Sequence, residues 1–181
     1  MVEQCIAENQ VAQHALFDKY SSVLLGVCYR YAHNKQEAED MMQDGFVLIF
    51  KNLKAFKFES SLKTWMTRIM INNAINYINK YHKVNWDFNL EPVYDEVSFS
   101  EVQLHQYDVK IVMDCVQRLP LGYRMVLNLF AIEGYSHKEI ADKLNIKEAT
   151  SRSQYSKAKV LLEKILLKQG VQLPNHGSRS I

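Results

Sequence analysis

The sequence predicts an all-α protein of two small helical domains joined by an acidic linker. Three observations carry this. Apolar residues recur at helical spacing in two blocks, residues 12–81 and 107–167. No stretch alternates apolar and polar residues as a half-buried strand would. Between the blocks, from Asn85 to Val109, stand six acids (Asp87, Glu91, Asp95, Glu96, Glu101 and Asp108) with no Lys or Arg and no sustained period. A structureless interval of that length is uncommon inside one compact domain. The expected limits are a first domain at 10–83, a linker at 84–106, a second domain at 107–168 and a frayed tail at 169–181.

The first helix is expected over residues 12–32, with Leu16, Tyr20, Val23, Leu24, Val27, Cys28 and Tyr31 on one stripe. The polar break His33-Asn34-Lys35 separates it from a second helix, Gln36 to Leu53, whose face is Ala38, Met41, Met42, Gly45, Phe46 and Ile49. A third, Ser61 to Tyr81, has Leu62, Trp65, Ile69 and Ile75 as its face and Ser60 or Ser61 as its N-cap. After the linker, Val112, Cys115, Val116 and Leu119 form a stripe stopped by Pro120, and Val126, Leu127, Leu129 and Phe130 form another that ends near Gly134.

Ser136 and Glu139 have capping-box spacing, so a helix should start at His137 and bury Ile140, Ala141 and Leu144. Asn145 tolerates the left-handed backbone of a tight turn, and Ile146 plugs the corner. The last helix should start near Lys147 or Glu148 and face inward with Ser151, Tyr155, Ala158 and Leu162. Thr150, Arg152, Ser153, Gln154, Ser156 and Lys157 then fall on the outer face. This is the pattern of a helix-turn-helix, whose second helix enters a DNA major groove. Arg can bond guanine and Gln adenine, each bidentately, while Lys and Ser suit phosphate oxygens. A solvated face on an ordinary pair of helices is the alternative.

Composition narrows the classes. Of the 181 residues 48% are hydrophobic, so a packed core is expected rather than disorder. No apolar run is long enough to cross a membrane, and MVEQCIAENQ lacks the order of a secretory leader. A cytoplasmic protein without membrane insertion is expected. The formal net charge of +2 does not indicate a globally basic DNA binder, but it hides the acidic middle and a basic last third. Cys5, Cys28 and Cys115 have neither metal nor disulfide spacing and read as buried or free thiols. No histidine set, phosphate loop or nucleophile elbow appears, so neither metal, cofactor nor enzymatic activity is expected.

Longer motifs add a resemblance. "EAEDMMQDGFVLIFKNLKAF" followed by "SSLKTWMTRIMINNAINYINK" resembles region 2 of a bacterial sigma factor. "LPLGYRMVLNLFAIEGYSHKEIADKLNIKEATSRSQYSKAKVLL" resembles sigma region 4, and nothing between is long enough for region 3. The layout is similar to that of the extracytoplasmic-function (ECF, group 4) sigma factors of the sigma-70 family. The resemblance implies a factor that binds core RNA polymerase and directs promoter-specific initiation at −10 and −35 elements. It places polymerase binding, on the β′ clamp helices, at Asp40, Gln43 and Asp44. It places −10 reading at Phe58, Glu59, Ser60, Lys63, Arg68, Asn72 and Asn76. It places −35 reading at Lys138, Thr150, Arg152, Ser153, Gln154, Ser156 and Lys157. The β flap of the polymerase and an anti-sigma factor are the further partners implied. Phe46 and Trp65 are expected in the core.

Three positions depart from the family pattern. Asn79-Lys80 stands where an Arg pair is usual, Ala149 replaces a Gly, and Ser151 replaces an apolar residue. A buried Ser151 hydroxyl needs a partner, and a carbonyl of the preceding turn is expected. The linker fits either a path through a basic channel of the polymerase or a solvated spacer. A stand-alone helix-turn-helix regulator is the alternative function.

Overall fold

The computed structural model describes residues 1–81 and 109–171, with backbone alone at 109 and 110. The linker expected at 84–106 and most of the expected tail lie outside the described residues. The chain divides into two compact units, Met1–Val84 and Asn85–Ile181. All regular structure among the described residues is helical.

Unit 1 contains α1 (Val2–Ile6), α2 (Gln10–Tyr31), α3 (Lys35–Asn52), a 3-10 turn (Leu53–Ala55) and α4 (Leu62–Tyr81). Short polar side chains set the helix starts. Asn9 accepts from the Ala12 N–H at 3.0 Å, Asn34 from the Glu37 N–H at 2.9 Å, and the Ser61 hydroxyl from the Thr64 N–H at 3.0 Å. Glu37 reaches back to the His33 N–H at 2.9 Å, so the start of α3 is capped from both sides. Helices α2, α3 and α4 pack pairwise into a bundle, and α1 lies against α2 and the 3-10 turn. Leu16, Leu24, Tyr31, Met41, Ile49 and Met66 are among its fully buried side chains.

All six residues expected on the inner face of α3 are buried. Gly45 leaves the space that the end of the Met70 side chain occupies. A Cβ at that position would stand 2.2 Å from the Met70 sulfur of α4. That contact also fixes which side of α4 faces inward, and here the expected face is corrected. The buried stripe is Met66, Met70, Ile71, Ala74, Ile75 and Ile78, while Leu62, Trp65 and Ile69 are only half-buried beside it. The helix is apolar on more than one side, and the glycine opposite selects the Met70 side. Asn73 belongs to the buried side as well, donating to the Met41 carbonyl at 2.7 Å. On α2, Val23 was expected in the core and is 44% exposed.

Unit 2 contains α5 (Val109–Gln117), α6 (Leu121–Leu127) running into a π-helical turn (Asn128–Ile132), α7 (His137–Leu144) and α8 (Glu148–Lys168). Val112, Cys115, Val116, Leu119, Tyr123 and Leu127 close over Ala158, Leu162 and Leu166 of α8. Arg124 is buried with them, and its Nη1 donates to the Gln117 carbonyl at 3.1 Å and to Gln117 Oε1 at 2.8 Å. This guanidinium ties α6 back to the end of α5. The three cysteines are free and buried. Burial, against a smaller opposing effect of Arg30, pushes the Cys28 thiol up to about 12, so it is a poor nucleophile at neutral pH. No described helix is long and apolar enough to cross a membrane.

Candidate nucleic-acid and polymerase interfaces

The helix-turn-helix is built as its residues predict. Ser136 Oγ accepts from the Glu139 N–H at 3.2 Å, and Glu139 accepts from the Ser136 N–H at 2.8 Å. The bonds from Ser136 hold the Glu139 carboxyl below the usual range. Asn145 is left-handed at φ 53°, which turns the chain sharply out of α7. The Ile146 N–H then donates to the Ala141 carbonyl at 3.0 Å, with the Ile146 side chain half-buried.

The crook between α7 and α8 is pinned by a cluster that the periodicity did not reveal. Ser151 is wholly buried, and its hydroxyl shares a 2.9 Å hydrogen bond with His137 Nδ1. The partner is therefore a side chain of α7 and not a carbonyl of the preceding turn. The His137 ring stacks on Phe130 at 4.3 Å, and Tyr155 closes on Phe130 at 4.5 Å. Burial foremost, and then the nearby Arg152, hold the His137 pKa below its ordinary value, against a smaller opposite effect of Glu148.

A pH dependence follows. Where the folded pKa is depressed, the unfolded chain binds more protons as pH falls. Stability is then full above the ordinary histidine value of ~6.5 and declines as pH drops toward the folded value. Thermal melts of unit 2 at pH 7.5 and 5.5 should show this loss, and His137→Asn should reduce it. An equal pH dependence in the variant would refute the assignment to His137.

On α8, Arg152, Ser153 and Ser156 are exposed, Thr150 and Lys157 are half-buried, and Lys138 on α7 is exposed. Gln154 is a correction, because it is only 4% exposed. It falls three residues after Ser151 and four before Ala158, which is the inward stripe. Its amide packs on Gly122 of α6, where a Cβ would stand 3.2 Å from Gln154 Oε1. An amide on a polar stretch reads as exposed, and only the gap left by Gly122 makes room for it inside. Glu148 was not anticipated as part of this face, yet it forms an ion pair with Arg152 one turn later.

In unit 1, Asp40, Gln43 and Asp44 share one side of α3, with Asp40 half-buried and the other two exposed. Gln36 Nε2 donates to Asp40 at 3.2 Å. Tyr77 of α4 lies near this side. Its phenol is pushed up by burial first and then by the charges of Asp40 and Glu37. The loop before α4 presents Phe58, left-handed at φ 60° and 69% exposed. An aromatic side chain in that conformation costs ~1–2 kcal/mol, so the loop is held against a local preference. The Phe58 ring lies 4.6 Å from Phe56, which lies 5.3 Å from Trp65. The three rings form a tilted cluster, with interplanar angles of 49° and 47°, and Phe56 is a member that the motif alone did not single out. Glu59 is exposed and Ser60 half-buried, and Lys63, Arg68, Asn72 and Asn76 are exposed on α4.

Comparison with known proteins fits both units. The family described as Sigma-70 region 2 matches residues 16–84, and that described as Sigma-70, region 4 matches residues 110–162. Together, in that order, they span more than half of the chain. The chain belongs to the sigma-70 family, in its extracytoplasmic-function group. It is similar to the ECF RNA polymerase sigma-E factor of Haemophilus influenzae, 26% identical over 174 residues that cover 90% of this chain and 92% of the relative. It is likewise similar to the ECF RNA polymerase sigma factor SigW of Bacillus subtilis, 27% identical over 177 residues that cover 91% and 94%. Among solved structures, the sigma factor RpoE of Bartonella quintana, crystallised with the anti-sigma factor NepR, shares the fold at a TM-score of 0.52 and 19% identity, over 85% of this chain and 96% of that one. As a sigma factor the protein is a non-enzymatic factor that directs transcription initiation. The stand-alone regulator is not favoured by these relatives.

Proposed function

We propose that this sigma factor joins core RNA polymerase through the α3 face of Asp40, Gln43 and Asp44, docked on the β′ clamp helices. Unit 2 reads the −35 element and meets the β flap. The observation that carries the reading of unit 2 is an exposed Arg152, Ser153 and Ser156 at the start of α8, right after a capped helix and a left-handed turn. Lys138, Thr150 and Lys157 flank that face and suit phosphates. The proposed limits of the two working domains are 10–83 and 107–168, with the acidic linker 84–106 between them. The factor would act in the cytoplasm. An anti-sigma partner is part of the proposal, supported by the NepR-bound state of the Bartonella quintana neighbour.

The −10 element would be opened by unit 1. A flipped base needs an aromatic plane to stack on and polar groups for its edge. Phe58 extends the tilted cluster of Phe56 and Trp65 outward with its own ring exposed, and Asn72 and Asn76 supply amides on α4, with Glu59, Ser60, Lys63 and Arg68 around them. Phe58→Ala and Asn72→Ala are therefore expected to reduce promoter opening more than closed-complex formation. Permanganate footprints with normal melting in both variants would count against it.

Retention of core polymerase on the tagged protein, and run-off transcription from selected promoters, test the reading as a whole. Within it, Arg152→Ala should cost ~1–3 kcal/mol and relax preference at one base pair of the −35 element. Lys157→Ala should weaken all sequences alike and lower the salt slope by about one unit. If both variants keep wild-type −35 preference and salt dependence, α8 does not read DNA.

A further inference from the structure

The first turn of α8 carries a carboxylate, Glu148, beside the cation proposed to read DNA. Arg152 Nη2 donates to Glu148 Oε1, and the two side chains are 65% and 44% exposed. Glu148 is the first residue of α8, where the unpaired N–H groups of the helix favour a negative charge. Both charges act on His137, the first residue of α7, so the pair stands at the crook of the helix-turn-helix. A surface pair at this spacing contributes little to stability. Its effect should therefore be sought in what the helix binds.

A carboxylate in this place does two things. It occupies one donor of the guanidinium and leaves others for a bidentate bond to guanine. It also opposes phosphate oxygens, and on a sequence that offers Arg152 no guanine this repulsion is not outweighed by a base contact of the arginine. We propose that Glu148 is a specificity-determining positioning residue, which holds the Arg152 guanidinium at the start of α8 and weakens binding to −35 sequences that lack a guanine there. The inference rests on the reading of α8 as the −35 helix.

The test uses holoenzyme reconstituted with full-length sigma factor carrying Glu148→Gln, Arg152→Ala or both. The probes are promoter fragments selected by wild-type holoenzyme from a −35-randomised library, and the same fragments with a scrambled −35 element. Circular dichroism checks that each variant is folded. Glu148→Gln is expected to bind scrambled fragments roughly three- to tenfold more tightly but selected fragments no more tightly, because lost positioning of Arg152 there offsets the relieved repulsion, with a steeper salt slope on the scrambled ones. In the Arg152→Ala background the same change is expected to act on both fragments alike. If Glu148→Gln tightens both classes equally, or alters neither, while Arg152→Ala still removes preference at one base pair, the role of Glu148 is overturned and the reading of α8 stands. If Arg152→Ala keeps the full −35 preference, both are overturned.

Discussion

Replacing Asp40 and Gln43 together by alanine is expected to lower the affinity for core RNA polymerase about a hundredfold and to leave unit 1 folded. The two residues lie three apart on α3, with Asp44 beside them, so one partner surface can engage all three. Interface energy concentrates in a few such residues, whereas surface substitutions rarely change stability by more than ~0.5 kcal/mol. Gln43 is exposed, and Asp40 bonds Gln36 on the same helix, so neither holds the bundle together. Ala is also a better helix former than Asp. Biosensor titration against core enzyme, with circular dichroism of the free variant, checks the expectation. Wild-type affinity in a normally folded variant would remove this face from the docking surface.

Arg124→Ala is expected to act in the opposite way, on stability rather than on a surface. The guanidinium is almost wholly buried, and its loss leaves the Gln117 carbonyl without that donor and opens a cavity beside α6. A loss of ~2–4 kcal/mol is expected from these two causes. For so small a domain that is a large part of the total. Arg124→Lys should recover only part of this, because both bonds to Gln117 come from Nη1, which the shorter lysine stem does not reach, and the ammonium is the more strongly hydrated group to bury. Urea unfolding should show a lowered midpoint for unit 2, while binding to core polymerase through unit 1 persists. A midpoint unchanged from wild type would show that Arg124 is dispensable to the fold.

Much of the fold was legible because the signals are local. The stripes on α3 and α5 follow from apolar spacing alone, and both are buried as read. Ser136 and Glu139 meet within one turn, and Asn145 adopts its left-handed backbone where the stripe of α7 ends. The order of the two motifs, which no single motif could make specific, pointed to the family. The N-terminal α1 was not anticipated, and a helix of that length carries too little pattern to read.

The sequence by itself determined the helical class, most helix limits, the position of the helix-turn-helix and the family. Each depends on contacts within a few residues or on motif order along the chain. Only the tertiary structure decided which side of α4 is buried, because the space left by Gly45 of α3 accepts Met70. It decided that Gln154 is inside, because Gly122 of α6 leaves room for an amide that composition alone places in water. It supplied His137 as the partner of the buried Ser151 hydroxyl, and set the Phe56 ring of the loop against Trp65 of α4. In each of these cases the deciding atom belongs to a residue at another place in the chain, and a periodic pattern holds no information about what stands opposite it.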